Sequence, residues 1–302
     1  KKIAFNNYPR HLLGAVPMLF ATELAEDVSS GRRGWTALVN SFLHPAMESF
    51  LYNAENRLRE YRTKNPLLIF RNDGDASRVA KTIALKTYSS GPRGGMEGVK
   101  EFSKQYKLPN VISMDIGGTT TDIGHVVNNA VDESRRGTVE GVPISFGLCE
   151  IASPGVGGSS ILSIDGKNIK VGPESVGAVP GPASFGRGGK ESTMTDVNLL
   201  MGLLDPKTFF GGGLKLDIDR ALAAIQENIA TPLGISSDEA LIKLRDAYDT
   251  KVAAELSGFA TVSDETVLLA FGGAGPMSAC GIADKSGIKT VFIPKTAAVF
   301  SA

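Results

Sequence analysis

The chain has 302 residues, enough for about two domains of roughly 150 residues each and a sizeable buried core. Its 32 Lys and Arg balance 32 Asp and Glu, so no global field favours nucleic acid or an acidic membrane surface, and specificity must reside in a local site. Cys149 and Cys280 have neither metal-ligand spacing nor a disulfide framework, and no apolar run reaches the length of a spanning helix. A soluble, cytoplasmic protein with buried free thiols is the expectation.

The opening Lys1-Lys2-Ile3-Ala4-Phe5-Asn6-Asn7 is not followed by a signal-peptide core. Absence of an initiating methionine, together with an ending where an element begins, reads as a piece of a longer chain. Apolar residues Trp35, Leu38, Val39, Phe42, Leu43, Met47, Phe50, Leu51, Ala54 and Leu58 keep helical rhythm, which predicts an amphipathic helix over 35–58 that Pro45 should kink or split. Residues 66–70 form a short apolar run that leaves through Arg71-Asn72-Asp73-Gly74, a buried strand and turn. A helix near 94–106 then leads to a strand at Val111-Ile112-Ser113-Met114.

Residues 122–127 and 130–134 flank Asn128-Asn129, a hairpin turn, and 142–151 and 161–171 read as further short strands. The stretch 171–189 is too rich in glycine and proline for regular structure and reads as an elaborate surface loop. Beyond it the period changes. Asp217 opens a helix whose face is Ile218, Ala221, Leu222, Ile225 and Ile229; Ser236 and Glu239 make a capping box for another, striped by Leu241, Leu244, Tyr248, Val252, Leu256 and Phe259. Strand 266–271, a glycine loop, a helix from Pro276 and a strand at 289–293 complete an α/β pattern.

Chemistry concentrates in Asp115-Ile116-Gly117-Gly118-Thr119-Thr120-Thr121-Asp122, between two strands. Gly117 and Gly118 can take positive φ and present amides without a Cβ in the way, as close approach to phosphate oxygens requires, while Thr119, Thr120 and Thr121 add hydroxyl donors. Asp115 would repel phosphate directly but can hold a hydrated Mg²⁺ that bridges to it; Asp122 can do the same or orient a water. No Gly-Lys-Ser/Thr follows, so this is not a Walker loop. Some 150 residues later, Phe271-Gly272-Gly273-Ala274-Gly275-Pro276 joins a strand to a helix N-terminus, where bare backbone lets an adenosine lie flat. Ser89-Ser90-Gly91-Pro92-Arg93-Gly94-Gly95 is another anion-site candidate, weighed equally against packing. His11, His44 and His125 are scattered and define no sequence-local metal cluster, and no Gly-x-Ser-x-Gly nucleophile elbow occurs.

The phosphate loop resembles the Asp-x-Gly-Gly-Thr loops of the actin, sugar-kinase and chaperone ATPase superfamily. Together with Ser90-Gly91-Pro92-Arg93-Gly94-Gly95, the run 171–182, Thr195-Asp196-Val197-Asn198-Leu199-Leu200 and Phe271-Gly272-Gly273-Ala274-Gly275-Pro276, in that order, the chain resembles the hydantoinase A/oxoprolinase family over nearly its whole length. The resemblance implies an α/β, actin-like (ribonuclease H-like) fold: residues 1–110 as part of a first lobe with connecting helices, 111–302 as a second, nucleotide-binding lobe. It implies ATP with Mg²⁺ at Asp115, Gly117, Gly118 and Thr119–Thr121 on the phosphates, Gly272, Gly273, Ala274 and Gly275 at the adenosine, and Asp115 and Asp122 serving the metal or a water. The implied activity is phosphorylation of a carbonyl or enolate oxygen, for cyclic amide opening as in hydantoinases and oxoprolinases or ketone carboxylation as in acetone carboxylase. A hydantoinase B-like second subunit, an oligomeric assembly and neither nucleic-acid nor membrane partners are implied too. Three departures stand out: the family's first Asp-x-Gly-Gly-Thr loop is missing from this chain, Arg93 stands where the family usually has alanine, and Ser153-Pro154-Gly155-Val156-Gly157-Gly158 departs from the family's more uniform Gly-Ala-Gly-Gly-Gly run. With Pro143-Ile144-Ser145-Phe146-Gly147 these lean toward the ketone-carboxylase branch. A non-catalytic nucleotide-binding subunit and a small-molecule kinase are the competing readings.

Overall fold

The computed structural model describes residues 6–7 and 19–301; His11 and most of the opening segment lie outside them. By compactness the chain divides into two units, residues 1–94 with 132–150 and residues 95–131 with 151–302. The first unit is built on helix α1, Ser30–Glu60, capped by the Ser29 side chain, which accepts from the Arg32 amide. Pro45 lies inside this helix without splitting it, because proline removes a single i→i−4 bond while the turns on either side keep theirs. The expected apolar stripe is only partly a buried face: Thr36, Asn40 and Leu51 are buried, whereas Trp35 is 48% and Phe42 83% exposed.

Two small hairpins accompany α1, one pairing Leu68–Phe70 with Ala76–Arg78 and one pairing Thr138–Val139 with Val142–Pro143. Glu133–Ser134 pairs with Leu148–Cys149. The strand expected over 142–151 is therefore three short pieces with different partners, the last of which joins the other unit. Leu85, Val139 and Ile144 form the buried cluster of this unit. Arg32 donates to the carbonyls of Ile144, Arg136 and Gly137, tying α1 to the second hairpin.

The second unit holds a mixed sheet with helices on both faces. Helix α2 is Ser90–Tyr106. The sheet strands are β1 (Asn110–Ile116), β2 (Thr121–Val127), β3 (Ala130–Val131) and β4 (Ile151–Ala152). A separate hairpin, β5 (Ser160–Asp165) and β6 (Asn168–Ser175), precedes helices α3 (Met194–Leu200), α4 (Ile218–Ile225) and α5 (Ser237–Phe259). Strand β7 (Thr266–Phe271), helix α6 (Gly275–Ser286) and strand β8 (Thr290–Phe292) follow. Strand order is β4-β2-β1-β7-β8, with β3 added to β2. β2 runs antiparallel to β1, and β7 and β8 run parallel with it. This is the mixed-sheet lobe expected of an actin-like, ribonuclease H-like fold.

Alternation along β1 explains the layers. Ile112, Met114 and Ile116 belong to the large core shared with Leu244, Tyr248 and Val252 of α5 and Ala279 and Ile282 of α6. Ser113, one residue out of phase, meets Met96 of α2 on the opposite face. Asn128 and Asn129, with φ of 51° and 63°, make the β2–β3 turn expected from the Asn-Asn pair. The strand expected at 161–171 is instead the β5–β6 hairpin, turned at Gly166 with φ 63°. It reaches into the stretch expected to be irregular, since residues 171–175 belong to β6. Gly172, at φ 53°, sits where the register shifts, so it supplies a bulge rather than a break. The Ser236–Glu239 capping box is present at the start of α5, and Asp217 caps α4.

Candidate functional site

Both glycine loops leave the same edge of the sheet. β1 and β2 are joined by residues 117–120, the bend of a tight hairpin in which the Gly117 amide donates to the Thr120 carbonyl at 3.0 Å. β7 pairs in parallel beside β1, with Phe271 opposite Asp115, so the loop 272–275 emerges next to that bend. The Ala274 amide donates to the Ile116 carbonyl at 3.0 Å and locks the two together. Gly272 has φ 81°, and a Cβ there would collide with the Asp115 carboxylate and lie 2.6 Å from the Ile116 carbonyl oxygen. This glycine is needed both for its backbone angle and for the approach of the loop to Asp115.

Neither Gly117 nor Gly118 uses the positive φ expected of it. Space is what they leave: a Cβ at either would meet only ordinary contacts, 3.6 Å from the Thr120 carbonyl and 3.7 Å from the Ser159 hydroxyl. The fold does not require glycine at these positions. The Gly117 amide is engaged in the turn, whereas those of Gly118, Thr119 and Thr120 make no hydrogen bond to the protein among the described residues. Gly118 and Thr119 are exposed and Thr120 half-buried. Thr121 differs from its neighbours: it is fully buried, and its hydroxyl donates to the Val156 carbonyl at 2.6 Å.

The segment 154–160 supports the bend from beneath. Gly158 and Ser159 donate to the carbonyls of Gly117 and Gly118 at 3.0 and 2.6 Å, and Thr121 donates to the Pro154 carbonyl at 3.2 Å. With their oxygens held inward, the 118–120 amides are left on the outer side of the turn. Thr195, in the first turn of α3, donates from both its amide and its hydroxyl to the Gly158 carbonyl, each at 2.8 Å. Thr193 and Asp196 form the capping box of α3, and buried Asp196 also accepts from the Ser184 amide at 2.8 Å. These supporting roles of Gly158, Ser159 and Thr195 were not read from the sequence, where the one local signal is the Thr193–Asp196 capping pattern that starts α3.

Asp115 and Asp122 are direct cross-strand neighbours, so their carboxylates share one face of the sheet. Burial raises the Asp115 pKa above the ordinary carboxylate value; hydrogen bonding to Ser301 opposes this and the charge of Asp122 adds to it. Among the described residues no group of three or more His, Cys, Asp or Glu is placed to hold a metal by itself. Other sequence candidates resolve into structure. Arg93 is buried, lies within α2 and is ion-paired with Glu133. His125 shares a 2.7 Å hydrogen bond with Asn110. Cys149 and Cys280 are both free, but Cys149 is only half-buried and Cys280 is exposed, against the expectation of buried thiols.

Residues 33–302 match the hydantoinase/oxoprolinase family model. The chain belongs to the hydantoinase/oxoprolinase family. This hydantoinase/oxoprolinase chain is 30% identical to the acetophenone carboxylase gamma subunit of Aromatoleum aromaticum, over 100% of its own length and 42% of that subunit. It is also 30% identical to the caprolactamase alpha subunit of Pseudomonas jessenii, over 94% of its own length and 42% of the relative. Among solved structures it matches nucleotide-free acetone carboxylase with a TM-score of 0.84 and 26% identity, covering 93% of this chain and 40% of that one. The family chain thus spans less than half the length of the relatives it matches. Among the described residues no helix is long and apolar enough to cross a membrane.

Proposed function

We propose that this chain is the ATP-binding core of an enzyme subunit that activates a carbonyl substrate by phosphorylation, for cyclic amide ring opening or ketone carboxylation. One observation carries the reading: two glycine loops leave adjacent parallel strands at one sheet edge, joined by the Ala274–Ile116 hydrogen bond. Amides of 118–120 would take the phosphates, with the hydroxyls of Thr119 and Thr120 beside them. The bare loop 272–275, at the N-terminus of α6, would lie along the adenosine. Thr121 would act from beneath, holding the hairpin to Val156.

Asp115 and Asp122 fit a Mg²⁺ ion. Like charges set directly opposite across strands repel, and a cation between them relieves both that repulsion and the cost of burying Asp115. Magnesium is commonly held by one or two carboxylates and completed by waters and phosphate oxygens, which suits a site that offers two carboxylates among the described residues. ATP would supply the phosphoryl group, and the contribution of this chain would be alignment and neutralisation of charge. Acetone carboxylase and caprolactamase, among the relatives named above, support an ATP-dependent reaction of a carbonyl compound. The relatives' subunit names support a partner, for which a hydantoinase B-like chain is the proposal, in an oligomeric and cytoplasmic enzyme.

The test is phosphate release by the complete protein with its partner, in Mg²⁺ and ATP, across hydantoins, oxoproline, lactams and ketones. Release stimulated by one of these classes, and reduced at least about a hundredfold by Asp115→Ala, is expected. Release that ignores every substrate would discard the activation reading.

A further inference from the structure

Arg245, on α5, belongs to none of the glycine loops, yet its guanidinium meets three helices. Nε donates to Asp249 Oδ2 at 2.9 Å on α5 itself, and Nη1 donates to Asn198 Oδ1 at 3.0 Å on α3. Nη2 donates to the Met277 carbonyl, in the first turn of α6. Both partners of the ion pair are largely withdrawn from solvent, with side chains 15% and 7% exposed. Further along α6, a Cβ at Gly281 would collide with the Asp249 carboxylate, so α6 rests on the pair at positions one turn apart.

The two other helices lead to the two loops. Asn198 is three residues from Thr195, whose amide and hydroxyl hold the Gly158 carbonyl; Gly158 in turn holds Gly117. Met277 lies two residues beyond the 272–275 loop, and its carbonyl is where the Arg245 fork grips α6. The Ala274–Ile116 bond pins the base of that loop, Ala279 and Ile282 pack α6 into the core, and Lys285 pairs with Asp246 of α5 near the far end of the helix. Arg245 adds a directional grip at the first turn, next to the loop. Resting on the ATP-binding reading above, we propose that Arg245 is a positioning residue that sets the tilt of α6, and so aligns the adenosine-side loop with the phosphate bend.

Simple stabilisation does not account for it. A buried ion pair spends most of its attraction on desolvation, and apolar side chains of similar volume usually serve stability as well or better. What they cannot reproduce is a rigid fork with donors to three elements, and neither can lysine, a single point charge. The Asp249 carboxyl has its pKa raised by burial and its Oδ1 has no hydrogen-bond partner among the described residues, so the pair is held at a cost to the core.

The experiment compares wild type, Arg245→Lys, and Arg245→Met combined with Asp249→Asn, which avoids stranding a buried charge, all in the complete protein. Binding of ATP and of inorganic tripolyphosphate is measured with Mg²⁺ alongside the thermal midpoint. Both variants should lose about tenfold in ATP affinity, the scale of one lost charged hydrogen bond, with tripolyphosphate affinity and midpoint little changed. Asn198→Ala should weaken ATP similarly, and adding it to the Arg245→Met pair should cost less than the sum, because the two residues act through one contact. Unchanged ATP affinity, or equal loss of ATP and tripolyphosphate, overturns the role of Arg245. Wild-type protein that binds neither ligand fails the ATP-binding reading itself, a distinct result.

Discussion

At the residue scale, the glycines of the site divide into those the fold needs and those it does not. A Cβ at Gly157 would lie 2.7 Å from the Gly118 carbonyl oxygen, within the layer that supports the bend. Gly157→Ala should therefore cost about 1–3 kcal/mol in a urea titration, as the backbone must shift to admit the methyl group. Gly118→Ala meets nothing closer than 3.7 Å and should leave the melting temperature unchanged while lowering ATP affinity, measured by calorimetry. Asp115 gives a third case. Its folded pKa is raised, so the native state binds the proton more tightly than the unfolded chain does. Stability then falls as pH rises from the ordinary carboxylate value of 3.8 through the raised one. Asp115→Asn should thus melt higher than wild type at pH 7 and lose that part of the pH dependence, while losing Mg²⁺-ATP turnover. A variant that melts lower at pH 7, with a native-like spectrum, would contradict the strain assigned to this carboxylate.

At the scale of elements, local chemistry was legible wherever the partner lay within a few residues. Ser236 and Glu239 bond reciprocally, Asp217 accepts from the Arg220 amide, and the Asn128-Asn129 turn forms as its left-handed preference dictates. Ser236→Ala should accordingly destabilise the protein by about 1 kcal/mol in chemical denaturation, with no change in nucleotide affinity. Elements defined by distant partners were less legible. The 142–151 stretch reads as a strand because apolar residues recur along it, but its pieces pair with residues 138–139, 133–134 and β2. Likewise β6 runs through Gly172 and Pro173, because pairing with β5 outweighs the poor strand propensity of both.

At the scale of the whole molecule, residues 132–150 pack with residues 1–94 rather than with their chain neighbours. The candidate nucleotide site lies wholly in the other unit, on one sheet edge, which makes a ligand-linked stability measurement direct. Mg²⁺-ATP at about 100 times its dissociation constant should stabilise that unit by about 2.7 kcal/mol, read as an upward shift in its melting transition, and Asp115→Ala should abolish the shift. A transition that ATP leaves unmoved would argue against a nucleotide on this edge.

The sequence by itself determined the α/β class, the two glycine loops and their order, and the family, because each of these is written in contiguous residues with short-range geometric demands. Only the tertiary structure decided that Thr121 faces inward to Val156, that neither Gly117 nor Gly118 takes a positive φ, and that Arg245 spans three helices. The Thr121 contact and the Arg245 contacts to the two other helices depend on partners 32 to 47 residues away in the chain, whose approach is set by packing of the core and leaves no local pattern to read.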